Sequence, residues 1–555
     1  MCQMNKEWLP HLKDCVPATV SGDRLSIYAI ALEGWRRGLT LKFYTSKLRN
    51  KIIVRYTLSN NEKEIYFSYT AGEGVTPEAM RISGSKILTK KQLLQANVPT
   101  PPGKEFTNST TNKEIISYAQ SIGFPVVVKP TNGKMGKGVI SNITTENELR
   151  TALNQLRENV DYQNVIVEKF IAGKEYRVYV VGGEVVGAIN RVPAHVIGDG
   201  TNTIRDLIRN KNKERKQIPS LRGRPIKIDV EVKRNITKEG YTLKSILKEN
   251  EHLFLRRNSN VSSGGEPVDV TDYLPEKIRQ IAIDATKAVP NLCQCGVDII
   301  VDESSNSGAV IEINTKPGIA SHLYPVKGKA RDIPKAIIDY YFPESRSENK
   351  LTNQIFFDYK KISSLLLSGM LSEVQLPNIS LDTFKVKAFK VYGNVQNVGY
   401  RNWIRKNALF FDLNGFVENK TDGSVFIVVA GDIDNFYKFK KHIELNGPRD
   451  ADVRDIIETD WDKPIEVGFE ITQQNDVLAN QETSLKRDEL VKLEKEIASL
   501  AKEKEDIQEK LIEMSKQKDK IQKMNQDILN SSSWKYTKPV RKMSSLLKKK
   551  TKGKL

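Results

Sequence analysis

The run FPVVVKPTNGKMGKG, residues 124–138, reads as a short buried strand that ends in Lys129-Pro130 and opens into a glycine-rich loop with two further lysines. A strand that delivers a lysine beside a loop of glycines makes a phosphate cradle: backbone N–H groups approach the phosphate oxygens and the ammonium neutralises them. No Gly-Lys-Ser/Thr closes the loop, so it is not a P-loop. The matching negative charge comes from VDIIVDESSNSGAVIEINTKPG, residues 297–318. Asp298 stands in an apolar strand. Glu312 and Asn314, two apart, share one face of another, because side chains alternate along a strand. Three oxygen donors facing a lysine-rich loop suit Mg²⁺ carried by a nucleotide.

Between these stretches lies VIVEKFIAGKEYRV, residues 165–178. A buried strand ends in Glu168-Lys169, the apolar Phe170-Ile171 follows, and then comes Glu175. This order lets the backbone around Lys169 bond an adenine edge while Glu175 accepts from ribose hydroxyls. Together the pieces resemble the ATP-grasp ligases of the D-alanine–D-alanine ligase and cyanophycin synthetase types, over about residues 85–343. The resemblance implies ATP bound by Lys86, Lys129, Gly133, Gly136, Lys137, Gly138, Glu168, Lys169, Ile171 and Glu175. It implies Mg²⁺, with Mn²⁺ as an alternative ion, on Asp298, Glu312 and Asn314. Lys86, at the start of a helix, is chosen over Lys90 and Lys91 on the resemblance alone, those two being read as solvated helix charges.

Further motifs extend the likeness. In GAINRVPAHVIGDGTNTIRDL, residues 187–207, Arg191 is a candidate for the transferring phosphate, where a planar guanidinium stabilises spread charge. His195 is read as a hydrogen-bonded structural histidine in preference to a general base. Asp199-Gly200 and Thr203 read as a turn and a helix cap. In HLFLRRNSNVSSGGEPVDVT, residues 252–271, the resemblance places a loop over the acceptor and acyl phosphate, with Arg256, Asn260, Ser263 and Gly264 in contact. Ser321 continues the acceptor side. The implied chemistry is activation of a carboxylate as acyl phosphate, followed by attack of an amine on it.

A chain of 555 residues is too long for one core and predicts three or four domains. Its 39% hydrophobic and 28% charged content is ordinary for a globular protein. The beginning of the chain has no apolar signal region, no apolar run approaches a membrane span, and four cysteines show no zinc spacing. A cytoplasmic protein with reduced thiols is expected. Of the net charge of +19, about half sits in residues 534–555, which contain no acid. The body is therefore mildly basic, nucleic acid is not expected as a partner, and the tail suits an anionic membrane or polymer surface.

The expected layout is an N-terminal α/β domain over 1–82, an ATP-grasp domain over 83–345, and a linker over 346–383. The first domain shapes the acceptor site or serves as a structural lid, two equally supported readings. From residue 384 the pattern changes. VYGNVQNVGYRNW and GFVENKTDGSV resemble the two halves of the acylphosphatase signature, which implies a ferredoxin-like βαββαβ sandwich over 384–474. The loop before Tyr400 leads into a helix N-terminus that attracts phosphate. The resemblance makes Arg401 the phosphate-binding cation and Asn419 the residue that orients water. Asn397 replaces the family's usual glycine; asparagine tolerates a left-handed backbone better than most residues, so the expectation is a weakened rather than abolished loop.

Apolar residues hold every d position of six heptads from Leu490, which predicts a coiled coil over 484–530 and a homodimer. A basic tail, 531–555, closes the chain, and its SSSWKYTKPVRKM resembles tails of surface-glycan glycosyltransferases. The fold class is thus α/β and α+β multidomain. The function expected is an ATP- and Mg-dependent ligase of small-molecule carboxylates and amines, fused to an acylphosphatase and tied to surface polysaccharide. The alternative is a dimeric, ATP-binding scaffold with little turnover at a polysaccharide assembly site.

Overall fold

The structure is a computed structural model. It describes residues 6–48, 51–131, 138–157, 164–345, 354–379 and 383–473, with scattered residues between 521 and 539. Residues 1–472 form one compact unit and 473–555 another. The expected coiled coil and basic tail lie almost wholly outside the described residues. Among those described, no helix is long and apolar enough to cross a membrane.

In the first unit the helix Asp23–Arg36 is laid on an antiparallel sheet built from Thr40–Leu48, Lys51–Ser59, Glu64–Ser68 and Ala71–Gly72. Register pairs Leu41 with Leu58 and Phe43 with Tyr56, so alternation buries all four beneath the helix. The fifth strand of this sheet is Glu373–Gln375, hydrogen-bonded along Thr40–Leu48. The stretch expected to be a linker is therefore part of this domain. Its helix Tyr359–Leu367 covers the sheet, and Phe357 packs on Tyr28, Trp35 and Phe43 with ring centroids 5.0, 5.7 and 5.7 Å apart.

A four-stranded antiparallel sheet follows, ordered Gly103–Phe106, Val165–Lys169, Val126–Pro130, Ile140–Ile143. Val126, Val128, Val165 and Val167 point to the helices Asn112–Ile122 and Glu146–Arg157 and are buried there. Thr111 and Glu114 close a capping box on the first of these helices. The opposite face of the sheet, by the same alternation, carries Val127, Lys129, Ile166 and Glu168.

The larger sheet is ordered Glu266–Asp269, Glu184–Val192, Lys174–Val181, Gln294–Asp302, Ser307–Asn314, with helix Glu276–Lys287 packed behind it. Arg177 pairs with Asp298 and Asp298 with Glu312 across three adjacent strands. All three therefore share one face. A small α/β insertion between Val192 and Glu266 has its own core of Ala194, Val196, Ile204, Ile208, Val232 and Leu255.

The C-terminal part of the unit is a βαββαβ sandwich, as the sequence implied. Its sheet runs Asp452–Asp460, Phe384–Asn394, Val425–Asp432, Asn414–Asn419, Phe469–Thr472, with helices Tyr400–Phe410 and Ile433–Leu445 on one face. Val386, Ala388, Val428 and Ala430 are buried in the same hydrophobic cluster as the N-terminal helix residues Tyr28 and Trp35. Ile355–Phe356 pairs parallel with Ile465–Glu466 and fastens the junction.

Candidate active sites

A cleft of about 1850 Å³ separates the inner faces of the two ATP-grasp-like sheets. On the small-sheet side Lys129 is buried and donates to Glu168 Oε1. Lys90 Nζ reaches Glu168 Oε2 at 3.2 Å and also donates to the carbonyl of Pro101. Lys90 was expected to be solvated. It instead lines the cleft, where burial depresses its pKa against the pull of Glu168. Lys91, the other lysine read as solvated, is exposed. Lys86 opens the helix Lys86–Gln95 under a Ser85 cap, and its Nζ lies 3.4 Å from the carbonyl of Thr131.

Gly133, Gly136 and Lys137 fall outside the described residues; Gly138, at φ 73°, lines the cleft. The N–H of Lys169 donates to the carbonyl of Pro102 at 2.8 Å and that of Phe170 to Pro125 at 3.0 Å. Lys169 Nζ is held by the carbonyls of Gly123 and Phe124, both at 3.0 Å. These N–H groups are committed to the fold; Ile171, next along the chain, lines the cleft.

On the large-sheet side Asp298 is fully enclosed, and Arg177 grips it bidentately, Nε–Oδ1 2.7 Å and Nη2–Oδ2 2.8 Å. Arg191 Nη1 bonds Asp298 Oδ2 at 3.2 Å and Glu175 Oε1 at 2.6 Å. Ser259 Oγ donates to the other oxygen of Glu175. Burial would raise the Asp298 carboxyl, but Arg177 and Arg191 hold it below its ordinary value. Glu312, open to the cleft, goes the other way, raised by desolvation from the surrounding atoms and then by the charge of Asp298. With its amide oriented to satisfy both ends, Asn314 donates to Glu312 Oε1 at 3.2 Å and accepts from Arg177 Nη2 at 3.0 Å.

Two neighbouring carboxylates, one of elevated proton affinity, fit a hard divalent cation in charge and donor type. Among the described residues no set of three or more His, Cys, Asp or Glu side chains converges as ligands. The Asn314 carbonyl and substrate oxygens would have to complete such a sphere.

The acceptor-side expectations divide. Asn260 and Ser321 line the cleft. Arg256 does not: it is buried in ion pairs with Asp229 and Glu231 on the insertion. Ser263 bonds Asn258 Oδ1 and Asn260 O, both at 3.0 Å, and Gly264, at φ 113°, packs on Ile226 and Ala194. The cleft is lined instead by their neighbours Arg257, Asn258, Ser259 and Ser262. The backbone after the His252–Phe254 strand leaves the regular alternation, so residue spacing could not set which side chain points inward. His195 is hydrogen-bonded within the insertion, its Nδ1 3.0 Å from the Pro193 carbonyl and its Nε2 3.3 Å from Lys211. Asp199 accepts from the N–H groups of Thr201 and Asn202, and Thr203 caps the helix Ile204–Lys216.

The second site lies in the C-terminal sandwich. The loop from Asn394 to Gly399 turns through Asn397 at φ 60° and Gly399 at φ 75° into the helix Tyr400–Phe410. Gln396 Nε2 fastens it to the carbonyls of Lys420 and Ser424, both at 2.8 Å. Arg401 stands in the first turn of that helix. Asn419 ends the neighbouring strand Asn414–Asn419, and its Oδ1 is buried without a hydrogen-bond partner. An orphaned carbonyl oxygen beside a helix N-terminus suits a bound water or ligand hydroxyl.

Comparison with known proteins gives two family matches, a RimK-like ATP-grasp domain over residues 83–199 and an acylphosphatase over residues 387–471. The glutathione biosynthesis bifunctional protein GshAB of Clostridium perfringens is 32% identical across 57% of this chain and 41% of its own length. The cyanophycin synthetase of Trichormus variabilis is 31% identical across 58% of this chain and 35% of its own. The chain thus spans about two fifths of the length of these relatives. A solved acylphosphatase from Coxiella burnetii is 26% identical, with 16% of this chain and 94% of that chain covered and a TM-score of 0.16. The chain carries an ATP-grasp domain of the RimK-like family followed by an acylphosphatase domain.

Proposed function

We propose that the ATP-grasp part activates a small-molecule carboxylate with ATP and passes it to an amine, and that the sandwich hydrolyses acyl phosphates. The observation that carries the first reading is the opposition, across one cleft, of the lysines around Glu168 and the Asp298–Glu312–Asn314 group held by Arg177 and Arg191. Lys86 and Lys129 would neutralise phosphate oxygens. Glu175 would accept from ribose hydroxyls, and Arg191 would face the transferring phosphoryl group. Asp298, Glu312 and Asn314 would hold Mg²⁺, which neutralises phosphate charge when bound.

A carboxylate oxygen attacks the γ-phosphorus, the bond to the bridging oxygen breaks, and ADP departs. The amine nitrogen then attacks the acyl carbon, loses its proton and expels phosphate, leaving an amide. Asn260 and Ser321 would face the acceptor, and the enclosing walls keep water from the acyl phosphate.

In the second site water attacks the phosphorus of an acyl phosphate and the carboxylate leaves. Arg401 and the helix N–H groups bind the phosphoryl oxygens while Asn419 Oδ1 accepts from the water. The two activities share one chemical species, so the sandwich would clear intermediate that escapes the ligase. A role in surface polysaccharide rests on the resemblance of the tail alone.

The test is a screen for ADP release across amino acids and sugar acids, with Glu312→Ala as blank. An amide product by mass spectrometry supports ligation and excludes a non-turning scaffold. No ADP above the blank with any carboxylate would overturn the ligase reading.

A further inference from the structure

Glu168 is only 5% exposed, yet it holds two ammonium groups at once, Lys129 on one oxygen and Lys90 on the other. The two lysines come from different elements. Lys129 lies on the strand Val126–Pro130, diagonal to Glu168 in the sheet, and Lys90 rises from the helix Lys86–Gln95.

In the nucleotide reading, on which this inference rests, the Lys129 ammonium is drawn from Glu168 toward a phosphate oxygen, in part or whole, since its three donors can serve both. A buried carboxylate that loses its only cation is strongly penalised, so Glu168 by itself would hold Lys129 back. We propose that Lys90 is the positioning residue that frees Lys129 for the nucleotide, by keeping Glu168 compensated when Lys129 leaves. Lys90 is suited to stay behind, because the carbonyl of Pro101 anchors it on its far side. The charge of Lys129 also disfavours the ammonium of Lys90, so the departure of Lys129 strengthens the pair that remains.

Calorimetric titration of the full chain with Mg·ATP and, separately, with adenosine tests this. Lys90→Met should weaken Mg·ATP binding by about 10- to 100-fold, the equivalent of one charge-assisted hydrogen bond, and leave adenosine unchanged. Lys90→Arg should bind as wild type. Lys90→Met combined with Glu168→Gln should match Glu168→Gln alone, since no buried carboxylate remains to be compensated.

The proposal is overturned if Lys90→Met binds Mg·ATP normally, if it loses adenosine in the same proportion, or if the double variant stays weaker than Glu168→Gln. Should Lys90→Met not fold, that last comparison decides alone. A wild-type chain that gives no heat with Mg·ATP overturns the nucleotide reading itself, and this inference with it.

Discussion

Asn397 holds a left-handed conformation at φ 60° where the acylphosphatase pattern has glycine, and its side chain is one of the few that accept that backbone at little cost. Asn397→Gly should therefore hydrolyse benzoyl phosphate within a few-fold of wild type, whereas Asn397→Val should lose about 1–2 kcal/mol of stability. Arg401→Ala in the same assay should fall by about 100-fold or more; an equal rate would remove Arg401 from the site. His322 makes a pH prediction. It is 1% exposed and both ring nitrogens lack a partner. Burial, reinforced by Arg177, pushes its pKa down to about 3. A histidine whose folded pKa is depressed stabilises the fold fully above its ordinary value of about 6.5, and loses about 1.4 kcal/mol for each pH unit below that. Urea denaturation at pH 7 and pH 5 should show wild type losing roughly 2 kcal/mol more than His322→Asn.

At the scale of elements, the row Arg177, Asp298, Glu312 shows what alternation made legible. The strands carrying Asp298 and Glu312-x-Asn314 were readable because apolar partners alternate with them, and their common face follows from period two. Arg177 was readable by the same rule, two residues after Glu175 in KEYRV, but no motif drew attention to it. Its role emerges only from the register that sets it opposite Asp298. Arg177→Met should leave the buried Asp298 with the single guanidinium of Arg191, so the variant should be destabilised by less than the roughly 3–5 kcal/mol of a wholly uncompensated buried charge. A thermal melt of the variant checks this, and an unchanged midpoint would mean that Arg191 alone suffices. Lys90 escaped for a different reason: a helix face says which residues are neighbours, not which face meets the cleft. The strand Glu373–Gln375 escaped because three residues carry no period, and its partner Thr40–Leu48 lies more than 300 positions earlier.

At the scale of the molecule, the N-terminal sheet is closed by chain that follows the ATP-grasp domain. Phe357, Tyr359, Ile362 and Leu366 are buried in the same core as Tyr28, Trp35 and Phe43. Trp35 Nε1 donates to the Pro377 carbonyl at 2.8 Å, and Arg36 Nε to that of Ile355 at 2.8 Å. A domain boundary drawn at 345, the expected end of the ATP-grasp domain, would strip this cover. Each of the four apolar side chains contributes about 1.5–3 kcal/mol when buried, and the buried Arg36 would lose an acceptor. Set against the 5–15 kcal/mol that a folded domain has in reserve, a loss of that sum is decisive. A chain of residues 1–345 should therefore aggregate or melt at least about 10 °C below a chain of residues 1–379, although both contain every residue assigned to the nucleotide cleft. Equal melting points and equal Mg·ATP binding for the two would show that the 354–379 segment decorates the N-terminal sheet without completing it.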